Sequence, residues 1–242
     1  MPLTVHLGTA GWGIPKAFAD SFPGTGSHLE RYARVLPAAE INSSFYRPHK
    51  PETYARWAAS TPEGFRFAVK VPKLVTHTQR LRDPAAALDR FLGEAGALGD
   101  RLGPLLVQLP PGLAFDPAVA PAFFEILRAR FQGEVVCEPR HRSWFSDAAE
   151  RLLIEHRVAR VAADPAPVPA AAEPGGWNGL LYLRLHGSPR IYYSPYPPDV
   201  LERTAARLAE EAPRRPVWCI FDNTAEFHAT GDALTTLARL RE

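Results

Sequence analysis

The chain has two cysteines in 242 residues, no apolar run of membrane-spanning length and a formal net charge of only +2. Cys137 in "EVVCEP" and Cys219 in "PVWCIF" each sit inside a short apolar run, where a small buried thiol is common, so no disulfide framework is indicated. The opening "MPLTVHLGTAGWG" lacks the basic start, long apolar run and small-residue cleavage pattern of a secretion signal. A near-neutral balance excludes the global field that would force association with nucleic acid or an acidic membrane, while leaving room for a local basic patch. Also missing are a Walker loop, a dinucleotide glycine fingerprint, a Gly-x-Ser-x-Gly elbow and a His-Glu-x-x-His spacing. The glycines of "GTAGWG" (Gly8, Gly11 and Gly13) therefore read as turn residues that let backbone approach a pocket. These absences predict a cytosolic protein with no membrane partner.

What is present is ordinary in composition, 46% hydrophobic and 22% charged, and regular in pattern. Eight short apolar runs recur: "LTVHLG", "AAEINSSF", "FRFAVKV", "PLLVQLP", "EVVCEP", "RVAAD", "LLYLRLHG" and "PVWCIFDN". Helix signals separate most of them. "SHLERYARVL" carries a Ser27/Glu30 capping box, and "DPAAALDRFLGEAGAL" starts with Asp83 as cap and Pro84 in the first turn. "DPAVAPAFFEILRARF" repeats the Asp-Pro start, "SDAAERLLIEHRV" begins at a serine, "PPDVLERTAARLAEE" follows a proline pair, and "PETYARWAAS" supports a shorter helix. The exception is "PAPVPAAAEPGGWNG", residues 165–179, too rich in Pro and Gly for a regular helix. The pattern predicts an α/β fold, a single (β/α)8 TIM-type barrel domain over residues 1–242 with a reduced or missing sixth helix. An open doubly wound sheet is the competitor.

In such barrels ligands bind at the C-terminal ends of the strands. Those ends are polar here: Glu40 and Asn42, Lys70, Gln108, Glu138, Asp164, Arg184 and His186, and Asp222, strand by strand. In "LYLRLHG", leucines 181, 183 and 185 would face the helices and Tyr182, Arg184 and His186 the barrel interior, because successive side chains point to opposite faces. The competing structural reading is an ion-pair network in which Lys70 and Arg184 neutralise Glu40, Glu138 and Asp222.

Several motifs together, "GTAGW", "EINSSFYR", "FRFAVKVPKLVTHTQRL", "LLVQLPP", "EPRHRSW", "RLHG" and "FDNTAEFHATGDAL", resemble the YecE-like family, also called domain of unknown function 72. Their order and spacing along nearly the whole chain are specific. The resemblance implies a (β/α)8 barrel and implies no reaction. One departure is the end of the eighth strand, Asp222-Asn223, where many relatives carry two asparagines.

From these residues the expectation is an enzyme that acts by acid/base chemistry on a small anionic ligand bearing phosphate or carboxylate, a hydrolase or lyase. Glu40, Glu138 and His186 are the catalytic candidates. Lys70 is read as an electrostatic clamp, with an amine nucleophile as the other role for a desolvated lysine. Asn42, Tyr46, Gln108, Arg140, His141, Asp164, Arg184, Asp222 and Asn223 complete the ligand-binding set, Arg140 being shaped for bidentate contact with a carboxylate or phosphate. Trp144 reads as packing, Tyr192, Tyr193 and Tyr196 as a lid or stacking wall, and Thr230-Gly231 as a helix start of the kind that can face a phosphate. A divalent metal is compatible with Glu138, His141, His186, Asp222, His77 and His228 as donor types, but no tight ligand spacing favours one, and the cofactor stays unnamed. Two alternatives remain. One is a nucleic-acid-binding or metal-dependent phosphodiester-cleaving protein resembling repair-endonuclease barrels, with Lys50, Lys73, Arg80, Arg82, Arg140, Arg142 and Arg190 as a basic rim. The other is a non-catalytic ligand-binding barrel.

Overall fold

The computed structural model describes residues 5–242. Six parallel strands follow one another around the first part of the ring: β1 (Val5–Ala10), β2 (Ala38–Ile41), β3 (Arg66–Lys70), β4 (Leu102–Gln108), β5 (Val135–Glu138) and β6 (Val158–Arg160). After Val161 the chain continues as β7 (Ala162–Asp164), then forms the two-residue β8 (Gly175–Gly176), β9 (Leu181–Leu185) and β10 (Val217–Phe221). β10 pairs with both β9 and β1, with Val5 opposite Val217 and Val217 opposite Leu181. β6 and β7 are two halves of the sixth barrel strand: β6 ladders onto β5 and β7 onto β9. The ring therefore closes through the continuous chain at Val161, whose amide still donates to the Cys137 carbonyl. This is the (β/α)8 barrel that the alternation of strand and helix signals predicts.

Helices α1 (His28–Ala33), α2 (Ser43–Tyr46), α3 (Pro51–Ala59), α4 (Ala85–Ala95), α5 (Val119–Arg130), α6 (Asp147–Glu155), α7 (Pro198–Glu211) and α8 (His228–Leu240) complete the alternation. Ser27 and Glu30 make the full capping box on α1, and Ser146 caps α6 through the Ala149 amide. Asp116 accepts from the Ala118 and Val119 amides ahead of α5. Asp83 departs from expectation. Its φ of 46° turns the chain into the left-handed region, and α4 starts at Ala85 with no side-chain cap. An Asp-Pro pair signals a helix start only where the Asp is extended, and here the preceding turn, with Arg80 and Leu81 also at positive φ, arrives from the wrong direction. The helix expected after the sixth barrel strand is absent as such: between β7 and β9 stand a 3-10 turn, Pro169–Ala172, and β8, which pairs antiparallel with β6. Among the described residues no helix is long and apolar enough to cross a membrane.

The two strand faces build two cores. Leu7, Ile41, Val69, Val107, Cys137, Leu183 and Cys219 point outward against the helices, both cysteines being buried and free. Inside the ring, Ala38, Ala68 and Ala159 leave room for Tyr182, Trp218 and Ile220. Gly103 is part of the same fit, since a Cβ there would stand 2.7 Å from the Trp218 ring. His6 stacks on the Trp218 indole with centroids 4.4 Å apart, and Tyr182 lies nearly parallel to it at 5.9 Å. The barrel floor is thus aromatic, and the polar side chains lie above it.

Candidate functional site

Arg184, the fourth of the five residues of β9, is wholly enclosed and stands at the centre of the polar cluster. Its Nε and Nη2 donate to the two oxygens of Glu40 at 3.0 and 2.6 Å, its Nη1 to Glu138 Oε2 at 2.6 Å, and its Nη2 also to Asp222 Oδ2 at 3.0 Å. Four charge-assisted bonds to carboxylates from three different strand ends keep this guanidinium protonated. Burial alone would lower its pKa, but Glu40, Glu138 and Asp222 raise it well above the usual arginine value. Tyr182 adds a hydroxyl donor to Glu40 at 2.8 Å. Both Glu40 oxygens are therefore engaged, and no part of that side chain reaches solvent.

His186, two residues further along, stands above Arg184. Its Nδ1 is 3.0 Å from Asp222 Oδ2 and its Nε2 is 2.9 Å from Glu138 Oε1. A carboxylate at each ring nitrogen is satisfied only by the doubly protonated ring. Burial opposes that charge, yet Glu138 and Asp222 outweigh it and raise the pKa. Arg140 Nη2 also lies 2.9 Å from His186 Nε2 while forming an ion pair with Glu138 Oε1. With the ring nitrogen donating, the Arg140 bond belongs to Glu138. Burial pushes the Glu138 carboxyl up, but Arg184, His186 and Arg140 hold it well below the usual carboxylate range. Asp222 is lowered in the same way, burial being overcome by Arg184 and His186.

Lys70, at the end of β3, is the odd member. Only 8% exposed, its Nζ has no carboxylate within ion-pairing distance and no hydrogen-bond partner among the described residues. Instead it lies 4.2 Å from the centre of the Phe45 ring. Burial first, then repulsion from Arg184, bring its pKa down to about 8 against the opposing pull of Glu40, Asp222 and Glu138. Glu40 and Glu138 have both oxygens engaged within the cluster, and Asp222 has one. Nearby, Asn42 Oδ1 and Arg140 Nε are buried without partners, and Asp222 Oδ1 takes no hydrogen bond from any described residue.

The strand-end prediction thus divides. Glu40, Lys70, Glu138, Arg184, His186 and Asp222 meet in one cluster, with Arg140 closing it from the loop after β5. The cluster is a packed polar plug and not an open chamber; Lys70, Arg140 and Asp222 keep slight exposure, while Glu40, Arg184 and His186 keep none. Tyr46 is 78% exposed, makes no hydrogen bond to the cluster and sets its ring edge-on to Phe45 at 5.0 Å. His141 turns back to cap its own 3-10 turn through the Ser143 amide and hydroxyl. Gln108 and Asp164 are half-buried, and Asp164 contributes its carbonyl, not its carboxylate, to the Tyr196 hydroxyl and His186 amide. Asn223 ties the Ser194 carbonyl to Asp232 and so secures the loop after β9. Trp144 is packing, its indole N–H donating to the Leu113 carbonyl. Phe45 escaped the sequence reading because an apolar residue in "NSSFYR" gives no sign that its ring will lie under an ammonium group. Tyr192 is held at φ 70° by bonds at both ends of its peptide unit and sets its ring edge-on to His186 at 5.8 Å, which makes it a wall of the mouth. Among the described residues no three His, Cys, Asp or Glu side chains are arranged to hold a metal ion.

The sequence model of the family described as "Protein of unknown function DUF72" matches residues 6–242. The chain belongs to the DUF72 family. It is 33% identical over 175 residues to the UPF0759 protein YecE of Escherichia coli, a match covering 69% of this chain and 61% of that protein. The UPF0759 protein YunF of Bacillus subtilis is 26% identical over 59% of this chain and 52% of its own length. The chain therefore spans between half and two thirds of the curated relatives it matches. Crystal structures of DUF72 family proteins from Thermotoga maritima and Enterococcus faecalis superpose with a TM-score of 0.80 each, at 23% and 20% identity. The matches cover 99% of this DUF72 chain and 100% of the former structure, and 98% and 96% for the latter. That likeness establishes the shared barrel.

Proposed function

We propose that this DUF72 protein is an enzyme whose barrel mouth binds a small anionic ligand, a carboxylate or phosphate, between Lys70 and Arg140. The observation that carries the reading is the unpaired Lys70 ammonium beside carboxylates already engaged by Arg184. A nearly buried cation without a counter-ion is costly, and a bound anion removes that cost. Glu138 and His186, linked through the ring to Asp222, form the chain along which a proton can move, with Asp222 Oδ1 at its open end. Glu40, with both oxygens occupied beneath Arg184, acts as a positioning residue. Because Lys70 pairs with no carboxylate, Lys70→Met strands no ion-pair partner and should fold. Calorimetric titration with inorganic phosphate tests the reading. Loss of one charge-assisted hydrogen bond, roughly 1.5–3 kcal/mol, predicts about ten- to hundredfold weaker binding for the variant. Equal affinity in wild type and variant overturns it.

A second reading rests on the rim. Among the described residues, six of the seven exposed large apolar side chains, Tyr46, Leu74, Ile191, Tyr192, Tyr193 and Phe227, lie on the loops at the C-terminal end of the barrel. Exposed Arg47, Lys50, Lys73, Arg80, Arg142 and Arg190 lie on the same loops. Aromatic rings among cations suit single-stranded nucleic acid. The same titration with an oligonucleotide at two salt concentrations decides it, because phosphate-tracking affinity falls steeply with salt.

A further inference from the structure

The chain carries four lysines, Lys16, Lys50, Lys70 and Lys73, against 24 arginines. Its other enclosed cations follow that preference: Arg184 and Arg160 are both buried and both bond to carboxylates. Lys70 is the one buried lysine, the other three being exposed. A purely electrostatic clamp for carboxylate or phosphate is better made from arginine, whose planar fork binds such groups in a bidentate manner and never loses its charge. A primary amine in that place offers what a guanidinium cannot: it can shed a proton and form a covalent bond through nitrogen.

We propose that Lys70 is an imine-forming amine, and that the ligand of the mouth is a small oxo-acid whose carbonyl carbon is attacked by Lys70 Nζ while its acid group is held by Arg140. This rests on the reading of the mouth as an anion site and narrows the ligand to a carbonyl-bearing anion. Three features support it besides the residue type. Nζ has neither ion-pair nor hydrogen-bond partner among the described residues, so its lone pair, once deprotonated, is not engaged. Phe45 lies against it at 4.2 Å, limiting hydration on that side. The open oxygen of Asp222, continued through His186 to Glu138, supplies a route for the protons the reaction must move.

The step balances within the site. Lys70 ammonium gives up one proton to become the amine, which forms a C–N bond as the carbonyl π bond breaks and its oxygen takes up a proton. The carbinolamine then loses a proton from nitrogen, its hydroxyl is protonated and leaves as water, and a protonated imine remains. The sum is ammonium plus carbonyl giving iminium plus water, with no oxidant or further reactant. The charged groups around Nζ are Arg184, Glu40, Asp222 and Glu138 from the ring and His77 from the loop after β3. With the amine at about 8, a large share of Lys70 is neutral near pH 8, where an amine with the ordinary lysine value of about 10.4 is almost wholly protonated.

The test is reductive trapping of the full chain with glyoxylate and cyanoborohydride, read by peptide mapping, alongside calorimetric titration with glyoxylate and with phosphate. The expected result is one adduct per chain, at Lys70, suppressed by phosphate, with a labelling rate that levels off above about pH 8. Lys16, Lys50 and Lys73 serve as internal controls in the same digest, so the outcome does not depend on a variant that folds; Lys70→Arg should abolish the adduct. If glyoxylate and phosphate bind but Lys70 is labelled no faster than the three exposed lysines, the imine inference is overturned and the anion site stands. If neither anion binds and labelling is unselective, both fall.

Discussion

Replacing Arg184 with Met should do more than weaken the barrel; the stability it costs should shrink as the pH falls from 7 to 4. In the wild type Glu138 and Asp222 have pKa values held below those of the unfolded chain. Their stabilisation is complete above the unfolded carboxylate pKa and is lost only as pH falls below it through the folded values. Arg184→Met removes four charge-assisted bonds at once. Glu138 keeps Arg140 and His186, Asp222 keeps His186, but Glu40 keeps only the Tyr182 hydroxyl. Breaking a buried pair by removing one partner typically costs about 3–5 kcal/mol at neutral pH, which for a chain of this size lowers Tm by roughly 6–20 °C. A stranded buried carboxylate has its pKa pushed above the unfolded value. In the variant, protonation therefore relieves the folded state, and its deficit against the wild type narrows as pH falls toward 5. Thermal melts followed by circular dichroism from pH 4 to 7 read this directly. Curves for the two proteins that run parallel would refute the account of Arg184 as the common counter-ion.

At the floor of the barrel, burial and then Arg66 push His6 down to about 4. Its neutral form contributes about 3 kcal/mol that is present above pH 6.5 and lost as pH falls through the folded value, so His6→Phe should lose less stability than the wild type over that interval. A difference in stability between the two that stays constant from pH 7 to 4 would rule this out. Asp222→Asn takes away a carboxylate that supports both the Lys70 and His186 cations, so the pH midpoint of Lys70 labelling should move below about 8. An unmoved midpoint would show that Asp222 does not act on Lys70. Gly187→Ala places a Cβ 2.7 Å from the Ser194 carbonyl at a φ of 91°, and should displace the Tyr192 loop. Tighter or unchanged protection of that loop in hydrogen exchange would contradict this.

Local pattern carried the architecture. The strict alternation from Leu181 to Gly187 sorts three leucines to the helices and three polar side chains to the interior, because a strand enclosed on both faces still obeys a period of two. The capping box at Ser27 and Glu30, the serine start at Ser146 and the Pro-Gly interval before β9 were legible for the same reason, since each is settled within a few residues. The failure at Asp83 marks the limit of that reach: whether a side chain caps a helix depends on the direction from which the chain arrives. Lys70 and Arg184 look alike in one dimension, a cation at a strand end, yet one is spent on three carboxylates and the other is left free. Period tells which face a residue occupies but not what stands across the ring from it. That is decided when strands up to 144 residues apart close and fix the distances between charges, and on those distances the chemistry of the site depends.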